Sequence, residues 1–216
     1  EVMLTSMGDQ LLQIAGDDGH YFTAPYAMGT SAHRPSFGDD GRPSTGWHAQ
    51  FGDVNNDGRA DLFISKGNVD QMPTNAIHDP NSLLLQKADG SFTEIGLAAG
   101  VASGERGRGA ALTDFDRDGR LDLLVLNRRA PMEIYRNVTA DAGHWLGISL
   151  EQSGGNRNAI GALVTVRTQA GQESQQVLIG GGHAGGQSTP LHFGLGKGDA
   201  ASISVEWPDG TVTEHT

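Results

Sequence analysis

Short apolar runs separated by turn residues are the dominant pattern along this chain. Residues 62–65 read LFIS and residues 123–126 read LLVL. Runs of this length with β-branched members are typical of buried strands. Residues 11–22, LLQIAGDDGHYF, and residues 83–92, LLLQKADGSF, share a second arrangement: an apolar strand, an Asp-Gly turn and a strand with an aromatic residue. The pattern predicts an all-β chain built from short strands.

These strands repeat as a unit of four. Within residues 47–98 the successive strands read WHAQFG, ADLFIS, NSLLLQK and SFTEIG. Residues 1 to about 25 match the end of a preceding unit, and residues 108–138 match three strands of a following unit, the third being PMEIYRN. Such periods are typical of arrays in which each unit buries its apolar face against a neighbour.

Two acidic loops precede the buried strands. Residues 53–61, DVNNDGRAD, and residues 114–122, DFDRDGRLD, agree position for position. Side-chain oxygens lie at positions 1, 3, 5 and 9, a glycine at position 6 permits a sharp turn, and the backbone carbonyl at position 7 is a further donor. The predicted metal ligands, with each arginine acting through its carbonyl, are Asp53, Asn55, Asp57, Arg59, Asp61, Asp114, Asp116, Asp118, Arg120 and Asp122.

The chemistry of these loops favours calcium. Carboxylates this close repel one another unless a cation lies among them, and a set made only of oxygens suits a hard ion with many ligands. Magnesium is the weaker candidate. An EF-hand is excluded because its position 12 carries a bidentate Glu, where this chain has Ile64 or Val125. An Asx-rich turn without metal is the competing interpretation, and two aligned copies weigh against it. We therefore expect two Ca²⁺ ions.

Composition narrows the classes of partner and compartment. The net charge of −11 argues against nucleic acid or an anionic membrane surface as partner. The chain has no cysteine, so disulfides and thiolate sites are absent. No apolar run reaches the length of a membrane span, although association with a membrane-bound assembly stays open. Calcium loops work best where the free ion is abundant, which predicts an extracytoplasmic protein, periplasmic or secreted. Since residue 1 is Glu, we expect a mature product or part of a longer chain.

From Trp145 onward, alternating strands are separated by Gly-rich turns. The notable motifs are NAIGA at 158–162, GGG at 180–182, LHFGLG at 191–196 and WPDG at 207–210. Together with the acidic loops, they resemble the FG-GAP/VCBS repeats of integrin-type β-propellers followed by an ASPIC/UnbV domain, as in the cartilage acidic protein family. Three features depart from that pattern: Asn55 replaces Asp, the first unit lacks an acidic loop, and His183 stands where the family has an aromatic residue.

The resemblance implies a two-part architecture. Residues 1–140 would form a partial β-propeller of two to three four-stranded blades with calcium loops and incomplete first and last blades. Residues 141–216 would form a small β-sandwich-like ASPIC/UnbV domain. A propeller needs about four to eight blades to remove its free edges, so we expect further blades or a protein partner to complete this one.

Other motifs favour structural interpretations. Gly180, Gly182 and Gly185 match GxGxxG, but no helical pattern follows, so a tight turn or close backbone packing is expected. His192 lies within an alternating strand and is interpreted as a packed or hydrogen-bonded residue. Asn137 opens a glycosylation sequon and is expected to be unmodified. Four arginines favour a solvated surface over a partner contact: Arg106, Arg108, Arg128 and Arg129.

Two functional classes remain. The first is a calcium-stabilised extracytoplasmic interaction or scaffolding module, an accessory subunit of a larger assembly. The second is the C-terminal part of a propeller enzyme acting on polysaccharide, with its catalytic residues outside this chain. We favour the first and predict no enzyme activity, no catalytic residue and no organic cofactor, because no catalytic constellation is visible outside the acidic loops.

Overall fold

The computed structural model describes residues 1–31, 42–72, 74–169, 171–183, 185, 186, 188, 190–200 and 202–216. Over these residues the chain is all-β, with several antiparallel sheets and a single short 3₁₀ turn at Tyr26–Met28. The predicted fold class is confirmed, and its strands form a row of three sheets followed by a C-terminal pair of sheets. None of the helical segments in the described part is long and apolar enough to cross a membrane.

The first three sheets follow chain order. The first sheet contains β1 (Val2–Leu4), β2 (Leu11–Ala15) and β3 (Tyr21–Thr23). The second contains β4 (Gly46–Gly52), β5 (Asp61–Lys66), β6 (Ser82–Gln86) and β7 (Phe92–Glu94), and the third contains β8 (Gly107–Thr113), β9 (Asp122–Asn127) and β10 (Glu133–Tyr135). Each strand pairs antiparallel with the next along the chain, which is the meander of a propeller blade.

Strand β5 shows why its sequence is a continuous apolar run. All six of its residues are buried, because the second sheet is covered on both faces. Phe63 packs in a cluster with Leu112, Leu123 and Val125 of the third sheet. Its neighbours Leu62 and Ile64 point to the opposite face and pack with Leu84, Phe92, Met3 and Met28, next to the first sheet. The period of two therefore separates two cores that lie between successive sheets.

The C-terminal part forms two sheets around its own core. Strand β11 (His144–Ile148) pairs with β14 (Leu191–Gly196). The other sheet of this C-terminal pair has the order β13 (Gln172–Gln176), β12 (Leu163–Arg167), β15 (Ser202–Glu206) and β16 (Val212–His215). Buried residues from both sheets pack together in this core: Ala159, Ala162, Val164, Val166, Phe193 and Val205. The arrangement fits the expected sandwich-like unit, whereas the boundary between residues 140 and 141 stays a prediction.

Several described glycines of the Gly-rich segment, among them Gly180, Gly182 and Gly186, lie near the second and third sheets. Gly180 and Gly186 pair through an isolated β-bridge. A Cβ atom at Gly182 would lie 1.8 Å from Nδ1 of His48, and one at Gly109 would lie 3.4 Å from the carbonyl of His183. The glycines therefore allow close approach of the backbone, as expected from the strand pattern, and a dinucleotide fingerprint does not describe them.

Candidate metal centre

The two acidic loops have the same internal hydrogen bonds. Asp53, at position 1, accepts hydrogen bonds from the backbone N–H groups of Asp57 at 3.0 Å and Gly58 at 2.7 Å. Asp114 accepts the equivalent bonds from Asp118 and Gly119, each at 3.0 Å. In each loop, the carboxylate at position 1 therefore stabilises the turn by accepting hydrogen bonds from the backbone of positions 5 and 6.

Position 9 closes each loop onto its blade. Asp61 accepts hydrogen bonds from the N–H of Val54 at 3.0 Å and from the N–H of Gln86, in β6, at 2.9 Å. Asp122 accepts the equivalent bonds from Phe115 at 3.1 Å and Asn137 at 2.8 Å. The carboxylate at position 9 therefore joins the start of the loop to the end of the third strand in the second sheet, and to the segment just after the third strand in the third sheet.

Two positions in each loop adopt left-handed backbone conformations. The glycines at position 6, Gly58 and Gly119, have φ angles of 85° and 86°. Asn56 and Arg117, at position 4, have φ angles of 57° and 61°, which asparagine tolerates better than arginine. These left-handed residues turn the backbone sharply within each loop.

The second loop presents a set of oxygens that fits a calcium ion. Single carboxylate oxygens of Asp114, Asp116 and Asp122 lie within 4.8 Å of one another. Oxygens bound to one Ca²⁺ ion at about 2.3 to 2.6 Å are separated by no more than about twice that distance. Arg136 lies 2.8 Å from Asp116 and 3.4 Å from Asp118, so it offsets part of the negative charge.

The first loop is more deeply buried. Asp53 and Asp61 have 1% and 0% of their surface exposed. Burial raises the pKa of Asp53 to about 6 and that of Asp61 to about 7. Burial of a carboxylate disfavours its charged form, and a cation inside the loop would favour that form again. Asn55 gives this loop one carboxylate fewer than the second loop, and its Nδ2 donates to Asp57 over 3.0 Å.

The side chains of the arginines at position 7 form ion pairs within the loops, which the sequence did not predict. Arg59 donates through its guanidinium to Asp57, and Arg120 donates to Asp118 in the same way. The prediction used only their backbone carbonyls, although the spacing of two residues between opposite charges was visible in both loops. These ion pairs orient the carboxylates at position 5.

The two loops also contact each other. The side-chain Nδ2 of Asn56 donates to the carbonyl of Gly119 at 2.7 Å. Asn137 donates to the carbonyls of Val54 at 2.7 Å and Leu121 at 3.1 Å, one from each loop. The amide of Asn137 is therefore occupied in holding the loops together, and its lack of glycosylation stays a prediction.

The C-terminal unit packs directly on the loops. His192 Nε2 and Asn56 Oδ1 are 2.8 Å apart, and both residues are buried. Because Nδ2 of Asn56 donates to Gly119, its Oδ1 is the acceptor and His192 is the donor. Burial lowers the pKa of His192, which favours the neutral ring. Trp145 stacks on this ring with centroids 5.8 Å apart, so His192 is a packed, hydrogen-bonded residue as interpreted from the sequence.

Glycines of the C-terminal unit let its backbone reach the first loop. The N–H of Gly196 donates to the carbonyl of Asn56 at 2.8 Å, and the N–H of Gly143 donates to the carbonyl of Asn55 at 3.1 Å. A Cβ atom at Gly194 would lie 1.8 Å from Oδ2 of Asp53. The GLG of LHFGLG therefore provides a surface for the loop, and no local sequence signal indicated what this motif would contact.

The four arginines noted in the sequence lie away from the acidic loops. Arg106 and Arg108 are at the start of β8, whereas the second acidic loop follows the end of this strand. Arg108 stacks over Trp47 with its guanidinium carbon 4.2 Å from the ring centroid, and burial lowers its pKa to about 10. Arg106 and Arg129 both pair with Asp70. Arg108 is thus a packed residue, while the neighbouring arginines share one carboxylate.

Comparisons with known proteins agree with this architecture. Residues 152–216 match the family model for ASPIC and UnbV, and residues 71–125 match the model for an FG-GAP-like repeat. The second match includes the acidic loop at 114–122 and not the loop at 53–61. The comparisons leave the ten predicted ligands untested, so they stay a proposal.

Three relatives are cartilage acidic protein 1 from different animals. Identity is 26% over 168 residues for Mus musculus and 28% over 167 residues for Homo sapiens, each alignment covering 76% of this chain. Identity is 33% over 111 residues, or 50% of this chain, for Xenopus tropicalis. The chain spans only 26%, 25% and 17% of the mouse, human and frog proteins. The chain therefore carries an FG-GAP-like repeat and an ASPIC and UnbV domain, and it is homologous to cartilage acidic protein 1 at modest identity over most of its length.

Proposed function

We propose that this chain is a calcium-stabilised, extracytoplasmic protein-interaction or scaffolding module that serves as an accessory subunit of a larger assembly. The observation that supports this proposal most strongly is the pair of loops with matching hydrogen bonds. In the second loop, carboxylate oxygens of Asp114, Asp116 and Asp122 lie within 4.8 Å of one another. Each ion would be held by the side-chain oxygens of positions 1, 3, 5 and 9 and the carbonyl at position 7. Bound calcium would neutralise these carboxylates and stabilise the folded state, since the site forms only on folding.

The surface of the blade row supports a protein partner. The first sheet exposes Val2, Leu4, Tyr21 and Phe22, and the region around the third sheet exposes Leu126, Met132, Ile134 and Val138. Apolar side chains gathered at both ends of a sheet row are typical of protein contacts. We propose that further blades or a protein partner cover these ends, and the net charge of −11 disfavours nucleic acid in that role.

Homology to cartilage acidic protein 1 and the need for abundant calcium support a location outside the cytoplasm, secreted or periplasmic. We propose no catalytic role. Among the described residues, no observation favours the alternative of a polysaccharide-active propeller.

Calorimetric titration of calcium into chelator-stripped protein tests the proposal. We expect saturable binding of two ions per chain, with magnesium binding more weakly. At a calcium concentration of about 100 Kd, each ion should contribute about 2.7 kcal/mol to the free energy of unfolding. That contribution corresponds to a rise of roughly 5 to 10 °C in Tm for a chain of this size. Absence of binding by a demonstrably folded protein would reduce both loops to turns.

A matched exchange at position 3 tests the assignment of each loop. Asn55→Asp should tighten binding at the first loop about tenfold, because it adds a carboxylate, whereas Asp116→Asn should weaken the second loop by a similar factor. Asp116 suits this test because asparagine keeps an oxygen that can accept the 3.2 Å hydrogen bond from the N–H of Asp118, and the ion pair that is lost, with Arg136 at 2.8 Å, involves a largely exposed arginine. Calorimetry should resolve one altered site in each variant. Unchanged affinities in both would contradict the ligand assignment.

A further inference from the structure

The third sheet has one strand fewer than the second. In the second sheet β7 pairs antiparallel with β6, whereas the third sheet ends at β10 within the described part of the chain. Leu84 of β6 pairs with Leu62, which directly follows the first acidic loop. Tyr135 of β10 pairs in the same way with Leu123, directly after the second loop. Strand β10 is therefore the counterpart of β6, and its outer edge pairs with no described strand.

Backbone groups of β10 point to this outer edge. The N–H of Asn137 points the other way, towards β9, where it donates to the carboxylate of Asp122. Because the backbone groups alternate in direction along a strand, those of Ile134 point away from β9. Leu83 holds the equivalent place in β6, and its carbonyl accepts a hydrogen bond at 2.8 Å from Ile95, just after β7. Unpaired groups at the edge of a sheet are a template for a further strand.

A pocket lies beside this edge, at the place that β7 occupies in the second sheet. Gly29 follows the first sheet with a φ of 82°, and a Cβ atom there would lie 2.4 Å from the carbonyl oxygen of Phe92, in β7. Gly100 follows the second sheet at the same spacing, with a φ of 77°. A Cβ atom at Gly100 would meet no atom of the described part within 4 Å. It faces a pocket whose lining includes Leu97, Ala102, Glu105, Glu133 and Tyr135.

The lining of this pocket favours a basic side chain. Leu97 and Ala102 offer apolar surface, whereas Glu105 and Glu133 offer carboxylates, and the described lining residues include no lysine or arginine. A long side chain with an apolar stem and a positive end suits such a surface. In an added strand with the register of β7, this side chain would lie opposite Tyr135, as Glu94 lies opposite Leu84.

We propose that the outer edge of β10 binds an extended segment of a partner protein, which adds an antiparallel fourth strand to the third sheet and places a lysine or arginine beside Tyr135. The inference rests on the proposed function as a protein-interaction module and names the kind of segment that is bound. Backbone hydrogen bonds to Ile134 and Arg136 would supply affinity, and the pocket with Glu105 and Glu133 would supply specificity.

A pair of heptapeptides based on β7 tests the proposal. The peptide SFTEIGL has the sequence of residues 91–97, and SFTKIGL carries Glu94→Lys. Titrated into the calcium-loaded protein and followed by fluorescence anisotropy, labelled SFTKIGL should bind saturably and at least about tenfold more tightly than SFTEIGL, because only lysine complements the carboxylates of the pocket. Equal affinities of the two peptides, or no binding of SFTKIGL, would overturn the proposal.

Hydrogen exchange locates the bound peptide. With SFTKIGL present, the backbone amides of Ile134 and Arg136 should exchange at least about tenfold more slowly, while those of β6 should not change. Altered exchange in β6 without protection of β10 would mean that the peptide replaces β7, which would contradict a site at the edge of β10.

Two variants of Ile134 separate the backbone from the side chain. Ile134→Pro removes the N–H at the outer edge, and proline is tolerated at a sheet edge whose N–H faces solvent. Since the Ile134 side chain is 61% exposed, Tm should change little, while affinity for SFTKIGL should fall at least about tenfold. Ile134→Thr is the matched control, because it keeps the N–H and should bind like the parent. Equal affinities of the two variants would contradict strand addition.

A double variant tests the pocket. Glu105→Gln combined with Glu133→Gln removes both carboxylates and should abolish the preference for SFTKIGL over SFTEIGL, and a preference that persists would contradict the assigned pocket. Failure of both peptides to bind a protein that still binds two calcium ions would overturn strand addition alone. Failure to bind calcium would instead overturn the proposed function.

Discussion

Replacing Lys66 with methionine should destabilise the second sheet by about 3 to 5 kcal/mol, the usual cost of breaking a buried ion pair by removing one partner. Lys66 Nζ lies 3.6 Å from Asp79 Oδ1, and both side chains are fully buried. Asp79 also accepts hydrogen bonds from the hydroxyl of Ser44 and from the N–H of Thr45. Without Lys66, the buried carboxylate of Asp79 would lose this ion pair. Urea or thermal unfolding followed by circular dichroism measures the loss.

A double variant distinguishes the loss of the Lys66–Asp79 ion pair from the loss of side-chain packing. Adding Asp79→Leu to Lys66→Met removes the buried carboxylate as well and should recover most of the stability, since a buried pair is often replaceable by apolar residues. Arg157→Met breaks the exposed pair with Glu151, at 3.1 Å, and should cost at most about 1 kcal/mol. The loss for Lys66→Met should be similar in calcium and in chelator. If Lys66→Met alone were as stable as the parent, the proposed contribution of the Lys66–Asp79 ion pair would be contradicted.

The elements that could be predicted from sequence depend on local patterns. The runs LFIS and LLVL predict strands because sheets covered on both faces need apolar residues at every position, as β5 shows. The loop hydrogen bonds also lie within nearby residues, such as Gly58 to Asp53 and Gly119 to Asp114. A repeated spacing of Asp, Asn and Gly is therefore sufficient to indicate the loops.

The remaining features depend on long-range contacts. Asn56 and His192 are 136 positions apart, and no local periodicity indicates that they meet. Lys66 follows an apolar run and reads as a strand end, because its partner Asp79 lies in the long connection to β6. Gln175 reads as one more polar residue of an edge strand, and only the packing of β13 against β14 lets its Nε2 donate to the carbonyl of His192. Tertiary packing supplied these contacts, so residue spacing could not predict them.

Gly143→Ala should both lower stability by about 3 kcal/mol and weaken calcium binding at the first loop. A Cβ atom at Gly143 would lie 2.2 Å from the carbonyl oxygen of Asn56 and 2.5 Å from that of Gly196. Both clashing atoms belong to the backbone, so no side chain can rotate away, and overpacking of this kind typically costs 1 to 3 kcal/mol or more. Thermal melting and calorimetric calcium titration measure the two effects.

The second effect distinguishes this variant from an ordinary packing defect. The methyl group would separate β14 from Asn56, break the bond from Gly196 N–H to the Asn56 carbonyl, and move the neighbouring ligand Asn55. Gly155→Ala is the matched control, because a Cβ atom there meets no other atom within 4 Å. If Gly143→Ala lost stability but bound calcium as tightly as Gly155→Ala, the loop would keep its geometry without the C-terminal unit. Reduced affinity in Gly143→Ala alone would show that docking of the C-terminal unit and calcium binding depend on the same contacts.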